Sequence, residues 1–182
     1  MYVERKQLVA PGEILAEGKY VSGDNTHRDG DKVFSSQLNV VLDPRARYSV
    51  EDKRAQFDLV SKLAEQLNHM SWAVDAIIAA RESATAAQLP DLAAAIDKIR
   101  TKIVATKEGG AITGEERLRE YLAGLYGDVN GYEGRPTDSQ VARTDALARE
   151  LEDVIAEFRA LVAKSAKPIP VLSEADWKKS HE

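Results

Sequence analysis

Histidine is the side chain best placed to move protons or bind metals near neutral pH, and this 182-residue chain carries three, His27, His69 and His181. They share no ligand spacing with one another or with nearby carboxylates, whereas a metal needs several convergent donors. Asp24, Asp29 and Asp31 around Gly30 faintly suggest a calcium loop. They lack the regular Asp/Asn run and the distal Glu of such a loop, so turn chemistry is their expected role. Gly12 and Gly109-Gly110 match no phosphate cradle, because neither a Lys-Ser/Thr pair nor a strand-loop-helix context accompanies them. Glu115-Glu116 is read as a helix N-terminal pair that serves capping and the dipole. The serines fall in caps and turns, leaving no Ser-His-Asp set. With no cysteine, thiolate chemistry and disulfides are excluded. No catalytic residue, cofactor or metal is therefore expected, and the chain is expected not to be an enzyme.

The elements around these residues are mostly helical by pattern. From Ser49 to about Ala84, Val60, Leu63, Leu67, Met70, Val74 and Ile77 recur in steps of three and four, the spacing of one helix stripe. A helix of that length spans roughly 45–50 Å. Ser49 with Asp52 three residues on predicts its cap. Trp72 lies one position off the stripe, in the core or at the bundle edge with a partner contact as the lesser alternative, and His69 flanks the stripe. Pro90 in a first turn opens a second helix with Leu92, Ile96, Ile99 and Ile103 inward, ended by Gly109-Gly110. Thr113 and Glu116 predict a box for a short third helix carrying Leu118, Leu122 and Leu125, stopped by Gly127, with a loop over Asp128–Arg135. Tyr121, Tyr126 and Tyr132 cluster there as core-edge residues. Thr137 and Gln140 form the clearest helix start of the chain. That fourth helix runs to about Lys164 with Leu147, Leu151, Val154, Phe158 and Leu161 in the same coiled-coil-like spacing. After Pro168 and Pro170, Ser173 to Asp176 caps a final turn from which Trp177 docks back.

Charge narrows the partners. The net charge is −5, yet residues 1–48 are neutral, with seven Lys/Arg against seven Asp/Glu, so the excess lies wholly in the helical part. An acidic bundle is a poor binder of polyanions, whose affinity comes from neutralised phosphates. No run of about 18 apolar residues exists to cross a membrane, and Met-Tyr-Val-Glu-Arg-Lys at the start has no apolar h-region behind it. A cytoplasmic location without membrane contact is expected.

Residues 1–42 read differently, as two or three short strands between turn formers at Pro11-Gly12, Gly23-Asp24-Asn25 and Asp29-Gly30-Asp31. Such a piece is marginal alone and must lean on the helices or on a partner.

Two stretches resemble known families. Leu8 to Gly18, followed by Tyr20, Gly23, Thr26, Arg28, Gly30 and Lys32 to Ser36, resembles the opening of the archaeal exosome's RNA-binding cap subunit. In that family this small β domain seats the cap on a ring of RNase-PH-like subunits, while following S1 and KH domains grip RNA. No S1 or KH pattern follows here, so the resemblance implies docking on a protein ring and contact with RNA only through that assembly. The residues it nominates for docking are Pro11, Gly12, Leu15, Tyr20, Thr26, Arg28, Lys32 and Phe34. From about Leu38 onward, Val40 to Arg45, the Gln56–Leu67 helix, Leu122–Tyr126 and Arg135-Pro136-Thr137 resemble the C-terminal helical region of BNR-repeat, sortilin-like proteins of glycosyl hydrolase type. That family's propeller, where sugar chemistry would sit, is absent from this chain. The two likenesses meet within Gly30–Leu42 without a linker, the pattern of a fusion, an engineered chimera or a fragment.

The expected architecture is mainly α: a three- to four-helix antiparallel bundle over residues 44–182, preceded by a small β segment over residues 1–43. The expected function is a non-catalytic scaffold or protein-interaction module that binds a protein partner or itself and takes no small-molecule substrate. An exosome-associated accessory docking through its N-terminal segment is the alternative, and an accessory region of a BNR-repeat carbohydrate-active protein a weaker one.

Overall fold

The computed structural model describes residues 45, 47–107 and 114–181. These form five helices and, among the described residues, no strand: α1 (Val50–Ala86), α2 (Pro90–Ile103), α3 (Leu118–Gly131), α4 (Asp138–Ala163) and α5 (Glu174–Ser180). The expected β segment, its docking residues from Pro11 to Phe34, and Gly109-Gly110 all lie outside the described residues.

Local chemistry sets most of the helix starts. At α1 the Ser49 hydroxyl accepts from the Asp52 N–H at 3.1 Å, and the Asp52 carboxylate accepts from the Ser49 N–H at 2.9 Å. Thr137 and Gln140 repeat that reciprocal pair at α4, at 3.2 and 2.9 Å. Two orphan N–H groups are satisfied at each start, which is why both boundaries were predictable. Pro90 opens α2 and Ser173 caps α5.

The α1–α2 corner closes through a different device. Gln88 takes φ 58°, its N–H reaches the Thr85 carbonyl at 3.0 Å, and the Leu89 N–H reaches the Ala84 carbonyl at 2.9 Å. This is the Schellman arrangement, with a glutamine where glycine is usual.

Three expected boundaries fail. Helix α2 ends at Ile103, before Gly109-Gly110. Helix α3 starts at Leu118 instead of behind Thr113, and the Glu120 carboxylate accepts from the Arg117 N–H at 2.9 Å in place of the predicted box. Gly127 does not stop α3, which continues to Gly131 because Leu125 and Val129 are both buried on its inner face. Glu115 consequently precedes the helix. Its carboxylate accepts from the Thr106 N–H at 2.9 Å and hydroxyl at 3.2 Å, joining the two ends of the α2–α3 connection.

One apolar core unites α1 to α4, with Ile169 added from the C-terminal tail. Of the predicted stripe, Val60, Leu63, Met70 and Ile77 are buried, whereas Leu67 and Val74 are half-buried and pack on the core's edge. The C-terminal half of α1 contributes alanines instead: Ala73, Ala76, Ala80 and Ala84 are essentially inaccessible, as are Ile96, Ile99 and Ile103 of α2. Small side chains let helix backbones approach closely, so this half of α1 packs by proximity where the first half packs by bulk.

Contacts between helices fix their directions. Lys62 meets Asp145 at 2.6 Å, His69 meets Glu152 at 3.0 Å, and Arg159 lies over Trp72. The residue numbers rise together, so α1 and α4 run the same way. Lys102 of α2 meets Glu157 of α4 at 2.5 Å, while Gln56 at the start of α1 reaches the end of α3. Helix α2 folds back on α1 across the corner at Ala87 to Leu89, where Arg81 meets Asp97 at 3.0 Å.

Candidate functional site

The starts of α1 and α4 and the end of α3 converge on a polar cleft of about 720 Å³. Arg45, Arg47 and Arg135 line it with Tyr48, Tyr132 and Glu133. Tyr48 donates its hydroxyl proton to Glu133 at 2.7 Å, and the Lys53 ammonium lies 4.5 Å from the Tyr48 ring. Arg135 stands 3.7 Å from Asp52. The hydrogen bonds from the Ser49 backbone and hydroxyl hold the Asp52 carboxyl below the usual carboxylate range, with Arg135 adding a smaller push. Gly134 is required at its position. Its φ is +151°, and an added Cβ would come within 2.9 Å of the Tyr132 ring.

Beneath this cleft sits Gln56, 8% exposed. Its amide donates to the Val129 carbonyl at 2.8 Å and to the Tyr132 carbonyl. Helix α3 thus has its terminal acceptors satisfied by a side chain from α1.

A second constellation lies where α1, α4 and α5 meet. His69 carries Glu152 on one ring nitrogen at 3.0 Å and Glu174 on the other at 3.1 Å. Trp72, 4% exposed, donates its indole N–H to the Leu172 carbonyl at 3.0 Å. Trp177 donates to Asp75 at 2.7 Å and stacks on His181 at 4.3 Å. Trp72 is covered by the C-terminal tail, which periodicity did not reveal, because the tail follows two prolines and carries no stripe. The tyrosines separate: Tyr126 packs on the core, whereas Tyr121 and Tyr132 are exposed.

These arrangements position side chains from separate elements. His181 Nδ1 lies 3.0 Å from the Ser180 hydroxyl, and the same nitrogen is 2.8 Å from the Trp177 carbonyl, a helix-end contact. Among the described residues no group of three His, Cys, Asp or Glu side chains is gathered to hold a metal. Among the same residues no helix is long and apolar enough to cross a membrane.

Comparison with known proteins gives a partial answer. The chain is 31% identical over 80 residues to the exosome complex component Rrp4 of Methanopyrus kandleri, covering 41% of this chain and 34% of that protein. The same component of Methanobrevibacter smithii is 31% identical over 80 residues, covering 41% of this chain and 27% of its own length. That of Pyrococcus horikoshii is 37% identical over 41 residues, covering 22% and 16%. This chain spans about a third or less of the length of these relatives. An alignment covering 41% of 182 residues exceeds residues 1–43, so the Methanopyrus likeness takes in part of the helical region too. No family model matches the chain, and no solved structure does. The likeness to BNR-repeat proteins and the chimera reading gain no support from these comparisons.

Proposed function

We propose that this chain is a non-catalytic interaction module of an exosome-like assembly. The observation that carries the reading is its 31% identity over 80 residues to an exosome complex component. On this reading the chain divides near residue 43. A small β segment docks on a protein ring through Pro11, Gly12, Leu15, Tyr20, Thr26, Arg28, Lys32 and Phe34, and the remainder is an antiparallel helical bundle that offers a second surface. The bundle would count three rods: α1, α4, and α2 with α3 as an interrupted return. RNA is met through the assembly, consistent with the acidic balance of the helical part, and the work is cytoplasmic. The polar groups of the cleft support a binding role, because each carboxylate there is already engaged in a cap or an ion pair.

The test is co-purification with archaeal exosome ring subunits at low salt. Capture by the full chain that disappears when residues 1–36 are deleted, and in the full-length double substitution Tyr20→Ala with Phe34→Ala, is the expected result. Failure of the intact chain to bind the ring at low salt would sink the reading. Hydrolysis of RNA or a glycan, abolished by changing one cleft residue, would sink its non-catalytic part.

A further inference from the structure

We propose that His69 is a proton-operated latch that holds the C-terminal tail, residues 165–180, over the seam between α1 and α4. The inference is independent of any exosome role and rests on the donor count at one imidazole. A neutral imidazole has one N–H and one bare nitrogen, and an ionised carboxylate only accepts. His69 faces carboxylates from both sides, Glu174 Oε2 at 3.1 Å and Glu152 Oε1 at 3.0 Å. Both contacts are hydrogen bonds only when each ring nitrogen carries a proton. With the ring neutral, one nitrogen lone pair confronts a carboxylate lone pair, and one side of the bridge becomes repulsive.

Helix α5 is seven residues long and buries none of them fully. The tail's other ties are the Lys167 ammonium on the Ala87 carbonyl at 2.8 Å, the Leu172 carbonyl on Trp72 and the Trp177 indole on Asp75, with Ile169 in the core and Leu172 and Trp177 packed against it. The charged groups around His69 are Glu152 of α4, with Arg159 over the adjoining Trp72 ring, and Glu174 of α5, itself 2.7 Å from Lys178. On α1 itself they are Glu65 one turn earlier and Asp75, which holds Trp177. His181 stacks on Trp177 and has to be separated from His69 in any measurement.

The sign follows from proton counting. The docked tail uses both ring protons of His69, so docking is favoured at lower pH and weakens as the second of those protons is lost. For one linked proton the docking equilibrium falls by up to roughly tenfold per pH unit. In acid the latch fails again once the carboxylates protonate. The Lys178 hydrogen bond and the His69 charge hold Glu174 below the usual range against burial, which pushes that failure to lower pH.

The two tryptophans, Trp72 and Trp177, are the only ones in the chain, and both report on the tail. Acrylamide quenching of tryptophan fluorescence is measured on the full chain from about pH 5.5 to about pH 8.5, spanning the histidine range. His181→Gln serves as the background that removes the histidine stacked on Trp177. The latch requires quenching to rise through that range in both the wild type and the background. It also requires His69→Gln and Glu174→Gln, each confirmed folded by circular dichroism, to be flat with pH. A transition that survives His69→Gln, that vanishes with His181→Gln, or that is missing from the wild type would overturn the proposal. Should His69→Gln fail to fold, Glu174→Gln decides alone, because its side chain is partly exposed on α5.

Discussion

Gln56 is the residue whose loss the helices would feel most for its size. Truncation to alanine strands two carbonyls at the end of α3, and an unsatisfied buried acceptor costs about 1–3 kcal/mol. Urea denaturation of Gln56→Ala should show a loss in that range, while Lys53→Ala, removing a neighbour that is only a rim contact, should cost far less. Gln88 offers the opposite experiment. Its φ of 58° penalises any side chain, and relieving a left-handed residue is worth about 1 kcal/mol, so Gln88→Gly should raise the denaturation midpoint despite the loss of atoms. Neither residue announced itself in the sequence. The partners of Gln56 lie 73 and 76 positions away, and nothing in the type of Gln88 signals a left-handed turn. Ser49, Thr137 and Ser173 could be read directly, because a cap is a bond between residues three apart.

At the scale of the element, hydrophobic period located α1, α2 and α4, and on α1 the stripe faces the core. The large residues drew that stripe, and the buried alanines beside it, Ala73, Ala76, Ala80 and Ala84, gave no signal because alanine is equally at home on any helix face. Helix α3 shows the limit of glycine as punctuation. Gly124 and Gly127 sit inside it, and a Cβ at either would meet nothing within 4 Å. Tertiary burial of Leu122, Leu125 and Val129 overrides their weak propensity. Gly127→Ala should therefore stabilise the protein by about 1 kcal/mol, seen as a higher thermal midpoint with unchanged circular dichroism. A drop instead would mean that the position needs conformational freedom.

For the whole molecule, stability has an acid limit set by ion pairs within and between helices. Arg100, with Arg81 behind it, holds Asp97 below the usual carboxylate range; Lys62 does so for Asp145 and Lys178 for Glu174. A carboxyl depressed in the folded state contributes above its unfolded value and loses that contribution as pH falls through the folded one. On the acid side urea midpoints should decline most steeply below about pH 4. Asp145→Asn should flatten part of that decline. The sequence revealed the charges but not their pairing, since helix direction arises only once the chain has turned three corners. That direction has an electrical meaning. Two rods of unequal length that begin side by side place both positive macrodipole heads at one pole, where the chain enters through Arg45 and Arg47. The end of α3 and the carboxylates of Asp52 and Glu133 stand at the same pole, so opposite partial charges meet there within a few side chains. Added salt shortens the reach of that field.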